Sequence, residues 1–398
     1  MASFPHQPIS GLCGLLLDGA ILERINAADR THEAFSWDVP GEDLPVILES
    51  VFDIDSLVLR ECGRWGEIRV ARGELQTTEW IAQSTPTPKL IRELYAEGFS
   101  IVINNLQDKI HRVFQLCQEL GSLWIAGVNC NAYLTPPATQ GLAKHYDDED
   151  VLVLQVSGAK TWRLYRPPQP LNPLAGTPYS QSHVDACQTA VTHHLSRGKA
   201  LYIPRGVPHE AYCTDEASVH FTFSLQATSR GDLIRELIDA AISDPCDAHG
   251  FRLHLETDVM RRGFISENGL SHIAASLRAL TDGLEAGIVN RALSALVRKR
   301  LQGMATPMLF GHSSLVTDLC EETGLALAPE QALIRSAETK KAHFKGGTID
   351  LDTDAAATVV DRLASGHTVH ARDLPGADED ERIQLARQLM DCGLLTRA

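Results

Sequence analysis

A mainly β core carried between helical segments is what this 398-residue sequence predicts, and three observations predict it. Between about Trp124 and Gln226 the apolar residues come in short alternating or continuous runs, "NAYLTPP", "DVLVLQV", "TWRLYRP", "KALYIPRG" and "SVHFTFSL", separated by Gly, Pro, Ser and Asp. Several short strands with turn signals between them make a sandwich or barrel. On both sides of this region the apolar spacing changes to the helical period of about 3.6. Hydrophobic residues make up 44% of the chain and no low-complexity tract interrupts it, so it can bury a core and fill two or three ordered domains.

The elements follow in order. From about Gly11 to Ala34 the spacing predicts a helix, broken by Pro40, Gly41 and Pro45 in "SWDVPGEDLP". In "TPTPKLIRELYAEGFSIVINNL", Leu90, Ile91, Leu94 and Tyr95 form a helical stripe, and Ile101-Val102-Ile103 reads as a strand. "KIHRVFQLCQELGS" is an amphipathic helix with Ile110, Val113, Phe114 and Cys117 on one face and Gly121 as its expected stop. After the strand-rich region the helices resume at about Arg230. Ile234, Leu237, Ile238, Ala241 and Ile242 make one stripe, Ile273, Leu277 and Leu280 a second, and Leu293, Leu296 and Val297 a third. The last seventy or so residues hold "ATVVDRLASGHTV" and a final helix, "DERIQLARQLMDCGLLTRA", stopped at Gly393. They suit a small winged-helix-like unit. The expected organisation is 1–228 for the β core with its N-terminal helices, 229–305 for a helical region, and 306–398 for the terminal unit.

Charge and cysteines narrow the class. A formal net charge of −15 is opposite to the basic footprint of a nucleic-acid binder, and suits a basic peptide or protein partner. Acidic residues also flank the last helix, in "GADEDE". The nine cysteines show no Cys-x-x-Cys pair and read as reduced thiols of the cytoplasm. "GLCGLLLDGAILE" has no basic leader and no small-residue cleavage site, so it reads as a helix rather than a signal peptide. No apolar run reaches the ~20 residues of a membrane span.

The chemistry is concentrated in "HYDDEDVLVLQVSGAKTWRLYRP", which begins at His145. On an extended segment alternate residues share a face, so His145 and Asp147 project together and Tyr146 points away. A second imidazole from a neighbouring strand completes two histidines and one carboxylate on one face of an octahedron, leaving the opposite positions open, the geometry of non-haem Fe(II) sites. The triplet alone is weak evidence: His183-Val184-Asp185 repeats it, and His254-Leu255-Glu256 nearly does. Context separates the first from the other two. Beyond the strand-like run lies "LYIPRGVPHEAY", where a strand ends in a turn stiffened by Pro204, Gly206 and Pro208 that presents His209 at the strand's end. His145, Asp147 and His209 are therefore the expected metal ligands. Lys160, taken alone, reads as a surface lysine.

From about Pro88 to Gln226, "NAYLTPPATQGLAKHYDD", "LQVSGAKTWRLYRP" and "LYIPRGVPHEA" together resemble the JmjC-type 2-oxoglutarate oxygenases of the cupin fold, a double-stranded β-helix or jelly roll. The resemblance is strongest to the ribosomal oxygenase branch, whose members hydroxylate ribosomal proteins. It implies Fe(II), 2-oxoglutarate and O2 as cofactors, with His145, Asp147 and His209 as iron ligands and as the catalytic centre. It implies Lys160 and Tyr133 on the far carboxylate of 2-oxoglutarate, and Asn131 and Thr222 as polar positions lining the same pocket. Ser224, on the strand face of Thr222, and Tyr179 fall where substrate contacts are expected. The layout of that branch further implies a helical dimerisation region and a homodimer, followed by the winged-helix-like terminal domain. The expected activity is hydroxylation of an amino-acid side chain in a protein or peptide. A hydroxylase of free amino acids or peptide natural products, and a non-catalytic cupin that binds metal or ligand for regulation, are the alternatives.

Overall fold

In the computed structural model, which describes residues 9, 11–61, 66–73, 85–168, 171–174, 177–187, 190–243, 267–304, 319–336 and 339–398, Asp18 splits the expected first helix in two. Helix α1 (Gly11–Leu16) ends before it and α2 (Gly19–Thr31) starts after it. The Asp18 carboxylate accepts from the Ile21 amide at 2.9 Å and so caps α2. Strand β1 (Phe35–Asp38), helices α3 (Leu44–Val51) and α4 (Ile54–Glu61), strand β2 (Ile68–Ala71), helix α5 (Pro88–Ala96) and strand β3 (Ser100–Ile103) follow. Helix α6 (His111–Trp124) runs past Gly121, its expected stop. It closes instead at Ile125, which takes the left-handed conformation at φ 50°, with the Ala126 amide bonded back to the Gly121 carbonyl. Gly121 is buried inside the last turn.

The strand-rich region then folds as β4 (Val128–Thr135), β5 (Asp150–Tyr165), the short helix α7 (Gln181–Asp185), β6 (Ala190–Ser196), β7 (Lys199–Ile203), β8 (His209–Tyr212) and β9 (Ser218–Leu225). The strands run in the antiparallel order β1-β7-β5-β9-β4-β3-β2, with β6 and β8 also pairing to β5. Strand β5 belongs to two sheets. Its first half pairs with β7 and β9 and its second half with β6 and β8. The register slips between Gln155 and Ser157, and Gly158 follows at φ +65°. A Cβ at Gly158 would stand 1.8 Å from the Ala217 carbonyl oxygen, so the bend requires glycine.

The large sheet has two unlike faces. Cys130, Ala132, Leu152, Leu154, Phe221 and Phe223 point one way, into a core closed by α1, α2, α3 and α6. Their neighbours along the same strands point into the space between the two sheets. Part of that space is filled by Val153, Leu164, Leu195, Leu201 and Ile203; the rest is the cavity described below.

The chain divides into two units, Met1–Ala227 and Thr228–Ala398. The second contains α8 (Arg230–Ser243), α9 (Glu267–Asp282) and α10 (Ala286–Gly303), then β10 (Gly324–Leu327), β11 (Ile334–Arg335), β12 (Lys341–Phe344), β13 (Gly347–Asp350), α11 (Asp354–Ala364), β14 (Val369–His370), α12 (Glu379–Asp391) and β15 (Leu395–Arg397). Two three-stranded antiparallel sheets, β14-β10-β15 and β11-β12-β13, share a core with α11 and α12. Of the predicted helical stripes, Leu237 and Leu296 are buried, while Ile234, Ile242, Ile273, Leu277 and Leu293 are exposed. No helix among the described residues is long and apolar enough to cross a membrane.

Candidate metal centre

Folding brings His145, Asp147 and His209 together: one ligand atom from each lies within 4.8 Å of the others. The first two do not sit on a regular strand, as the alternation suggested. His145 makes an isolated antiparallel bridge with His209, and β5 begins only at Asp150. The bridge consists of both reciprocal backbone bonds, His145 to His209 at 3.0 Å and His209 to His145 at 2.7 Å, which fixes the two imidazoles side by side at 4.4 Å between ring centres. The expected turn does present His209. Gly206 makes it possible at φ +77°, where a Cβ would stand 1.9 Å from the Leu171 carbonyl oxygen. The Gly206 amide also donates to the Asp147 carbonyl, tying the two halves of the cluster.

Each ring is held through its other nitrogen. His145 Nδ1 lies 2.7 Å from the Ala143 carbonyl and His209 Nδ1 lies 3.0 Å from the Val207 carbonyl. A carbonyl only accepts, so both Nδ1 atoms carry hydrogen, which in the neutral ring leaves the lone pair on Nε2. These Nε2 atoms face the Asp147 carboxylate at 4.0 Å and 3.6 Å. Burial, and then the neighbouring His145, push the His209 pKa down to about 4, against the opposing pull of Asp147. The ring is thus neutral at pH 7, the form that binds metal. Two Nε2 donors and one partly exposed carboxylate, spaced to share one ion, fit a divalent cation with a three-ligand face.

The cluster opens into a cavity of about 200 Å3 lined by Tyr133, Lys160, Trp162, His220, Thr222 and Arg69, among others. Lys160 corrects the surface reading it would have alone, being only 4% exposed. Its ammonium donates to Thr135 Oγ1 at 2.8 Å, and Ser100 Oγ donates to that same oxygen at 2.9 Å. No carboxylate of the described residues forms an ion pair with Lys160. Burial lowers its pKa to about 8. An unpaired, dry ammonium facing a cavity is costly, and an anionic guest would relieve that cost. Tyr133 stacks on His220 at 4.8 Å with the rings nearly parallel, and burial raises its phenol pKa. Burial, followed by the Lys160 charge, holds His220 well below the ordinary imidazole pKa.

The remaining sequence candidates take other places. Asn131 is not among the described residues lining the cavity; its side-chain oxygen accepts from the Asn105 amide at 3.0 Å. Ser224 pairs across the sheet with Val151, a lining residue, but does not itself line the cavity. Tyr179 is 51% exposed and stacks at 4.9 Å on Tyr146, the residue between His145 and Asp147. His183 sits in helix α7, away from the cluster of His145, Asp147 and His209. His254 and Glu256 lie outside the described residues.

The family model described as the JmjC domain matches residues 103–233, a span that contains His145, Asp147, His209 and Lys160. Those residues form a JmjC domain. The JmjC domain has the expected cupin-type architecture, a large antiparallel sheet with a second sheet sharing β5. Bifunctional lysine-specific demethylase and histidyl-hydroxylase NO66 of Dictyostelium discoideum is 38% identical over 160 residues, covering 39% of this chain and 31% of that protein. Ribosomal oxygenase 1 of Homo sapiens is 33% identical over 221 residues, covering 54% of this chain and 34% of that protein. The chain thus spans about a third of the length of these curated relatives. Among solved structures, the X-ray structure of E. coli ycfD is similar with a TM-score of 0.49 and 15% identity, covering 87% of this chain and 90% of that one.

Proposed function

We propose that this protein is an Fe(II)- and 2-oxoglutarate-dependent oxygenase that hydroxylates an amino-acid side chain in a protein or peptide. The observation that carries the reading is a pairing: a three-donor face for a divalent ion opens onto one cavity with an unpaired buried ammonium, Lys160. A 2-oxo diacid has a metal-chelating end and a carboxylate end, and suits those two features together. The relatives' names, histidyl-hydroxylase and ribosomal oxygenase, support a protein side chain of the ribosomal-protein type as substrate.

In this reading His145, Asp147 and His209 hold Fe(II). Lys160, Tyr133 and Thr222 hold the far carboxylate. With O2, the bound Fe(II) and 2-oxoglutarate supply the oxidising chemistry that turns a substrate C–H into C–OH and the oxo acid into succinate and carbon dioxide. The protein's work is positioning. The two carbonyl-anchored imidazoles keep their Nε2 atoms aimed at one point, and Trp162 and His220 form part of the cavity wall beside them. Tyr179, stacked on Tyr146, and Ser224 are the substrate contacts we favour, and Asn131 steadies the strand that carries Tyr133.

Purified protein given Fe(II), ascorbate and 2-oxoglutarate should form succinate, and His145→Ala should abolish it. Full turnover by His145→Ala would end the assignment. Mass spectrometry of ribosomal proteins from a deletion strain should find one protein lacking a single oxygen atom relative to the parent strain.

We further propose a homodimer formed through the second unit, with 229–305 as the dimerising region and 306–398 as a winged-helix-like domain. Ile234, Leu270, Ile273, Leu277 and Leu293 expose large apolar side chains on three helices, more than isolated surface residues account for. A monomer by light scattering at micromolar concentration would remove this proposal. The seven cysteines of the described residues are free thiols, which supports the cytoplasm.

A further inference from the structure

Arg69 stands on β2, outside the matched JmjC span, yet it lines the cavity. The sheet register explains how it arrives there. Arg69 pairs with Val102, Val102 with Tyr133, and Tyr133 with His220. Cross-strand partners share a face, so these four form one row across the cavity wall, and all four line it. The next row along the strands starts with Ala71 and Ser100 and brings in Thr135, whose hydroxyl holds the Lys160 ammonium. Val102 is the short residue between Arg69 and Tyr133, and leaves a long side chain room to lie over it.

The Arg69 Nε atom is buried and has no hydrogen-bond partner among the described residues, and no described carboxylate forms an ion pair with the guanidinium. Its charge acts on the Tyr133 phenol, opposing the effect of burial there, as a close neighbour would. The cavity therefore carries two cations. The carboxylate that lines it, Asp147, already belongs to the metal cluster. A carboxylate guest has about four lone-pair sites, and one ammonium, one phenol and the Thr222 hydroxyl still leave part of that capacity unmet. A guanidinium is the side chain that meets them two at a time.

We propose that Arg69 is a specificity-determining residue of this site, its guanidinium sharing the far carboxylate of a 2-oxo diacid with Lys160 and Tyr133. The inference rests on the cosubstrate reading given above. It adds a ligand-binding group from the edge strand of the sheet.

The test is calorimetric titration of the full-length protein loaded with Mn(II) under nitrogen. 2-Oxoglutarate is compared with pyruvate, which keeps the 2-oxo acid and lacks the far carboxylate. Arg69→Gln should weaken 2-oxoglutarate about 10-fold and leave pyruvate unchanged, while Arg69→Lys should recover part of the loss. Unchanged 2-oxoglutarate binding in Arg69→Gln, alongside weakened binding in Lys160→Met, would overturn this inference alone. Equal weakening of both acids in Arg69→Gln would also overturn it, by assigning Arg69 to the fold. No 2-oxoglutarate binding by the unaltered protein would remove the underlying reading, and this inference with it.

Discussion

The two faces of the large sheet are made by the same strands in the same register, and they have opposite tasks. On β9, Phe221 and Phe223 enter the helix-covered core, while His220 and Thr222 face the cavity. On β4, Cys130 and Ala132 go to the core, and Asn131, Tyr133 and Thr135 turn the other way. The covered face is apolar and filled. The cavity face collects hydroxyls, imidazoles, a phenol and two cations that the fold would be more stable without. A strand can separate stability from chemistry with a period of two, provided that the apolar face offsets what the polar face costs.

Substitutions on the covered face should cost the fold most. Phe221 is fully buried and meets Phe52 edge to face at 5.2 Å. Phe221→Ala should destabilise the fold by about 3–5 kcal/mol, seen as a lower denaturant midpoint with unchanged slope. A loss below about 1 kcal/mol would mean that the helix layer does not depend on this face.

On the other face the effects should fall on binding. His209→Ala, which removes one of the proposed metal donors, should abolish turnover as His145→Ala does and lower Mn(II) affinity by at least about 100-fold, no less than the loss of an outer-shell partner costs, while the unfolding midpoint moves little. Lys160→Met should weaken 2-oxoglutarate by about 10-fold or more, yet make the ligand-free protein more stable near neutral pH. The sign follows from burial. The folded pKa is about 8, against an ordinary value of 10.5, so below pH 8 the native state carries a charge it disfavours. Between pH 8 and 10.5 the unfolded chain binds the extra proton, stability rises with pH, and the penalty of about 3 kcal/mol disappears. The stability advantage of Lys160→Met should therefore shrink as pH rises through that window. In the unaltered protein, 2-oxoglutarate affinity should decline above pH 8. An advantage that persists at pH 10.5 would mean that Lys160 is not a desolvated cation.

Much of the cavity face was legible in the sequence because its residues sit in long local motifs. The His145 triplet, the turn before His209 and the run that ends near Lys160 each lie in one continuous stretch, and all reach the site. Alternation in "SVHFTFSL" places His220 with Thr222, so His220 could have been found by the same period that pointed to Ser224. Arg69 could not, since it is brought in by the β2–β3 pairing, a contact with no local sequence signal. Thr135 and Ser100 were hidden for a related reason: they act through Lys160, and a buried lysine looks like any other lysine until the strands are paired. Two helix boundaries also differ from the sequence reading, one expected from a glycine at Gly121 and one from continuous apolar spacing over Gly11–Ala34; the chain ends its helices where capping is available, at Ile125 and around Asp18.

The smallest expected effect tests the comparison most closely, because it concerns the residue next to Phe221. Thr222 is nearly buried, lies on the cavity wall and pairs with Asn131 and Val153. Thr222→Val keeps the shape and removes one hydroxyl. If that hydroxyl serves a carboxylate guest, the loss is one hydrogen bond to a charged group, about 1.5 kcal/mol, a roughly 10-fold weakening of 2-oxoglutarate. The ligand-free protein should meanwhile hold its melting temperature or gain slightly, since an apolar isostere suits a dry wall. Adjacent residues of one strand would then differ completely, one altering stability without touching affinity and the other the reverse. A melting temperature lowered by Thr222→Val, with affinity unchanged, would make the cavity wall ordinary packing and erase the distinction between the two faces at the point where they are closest.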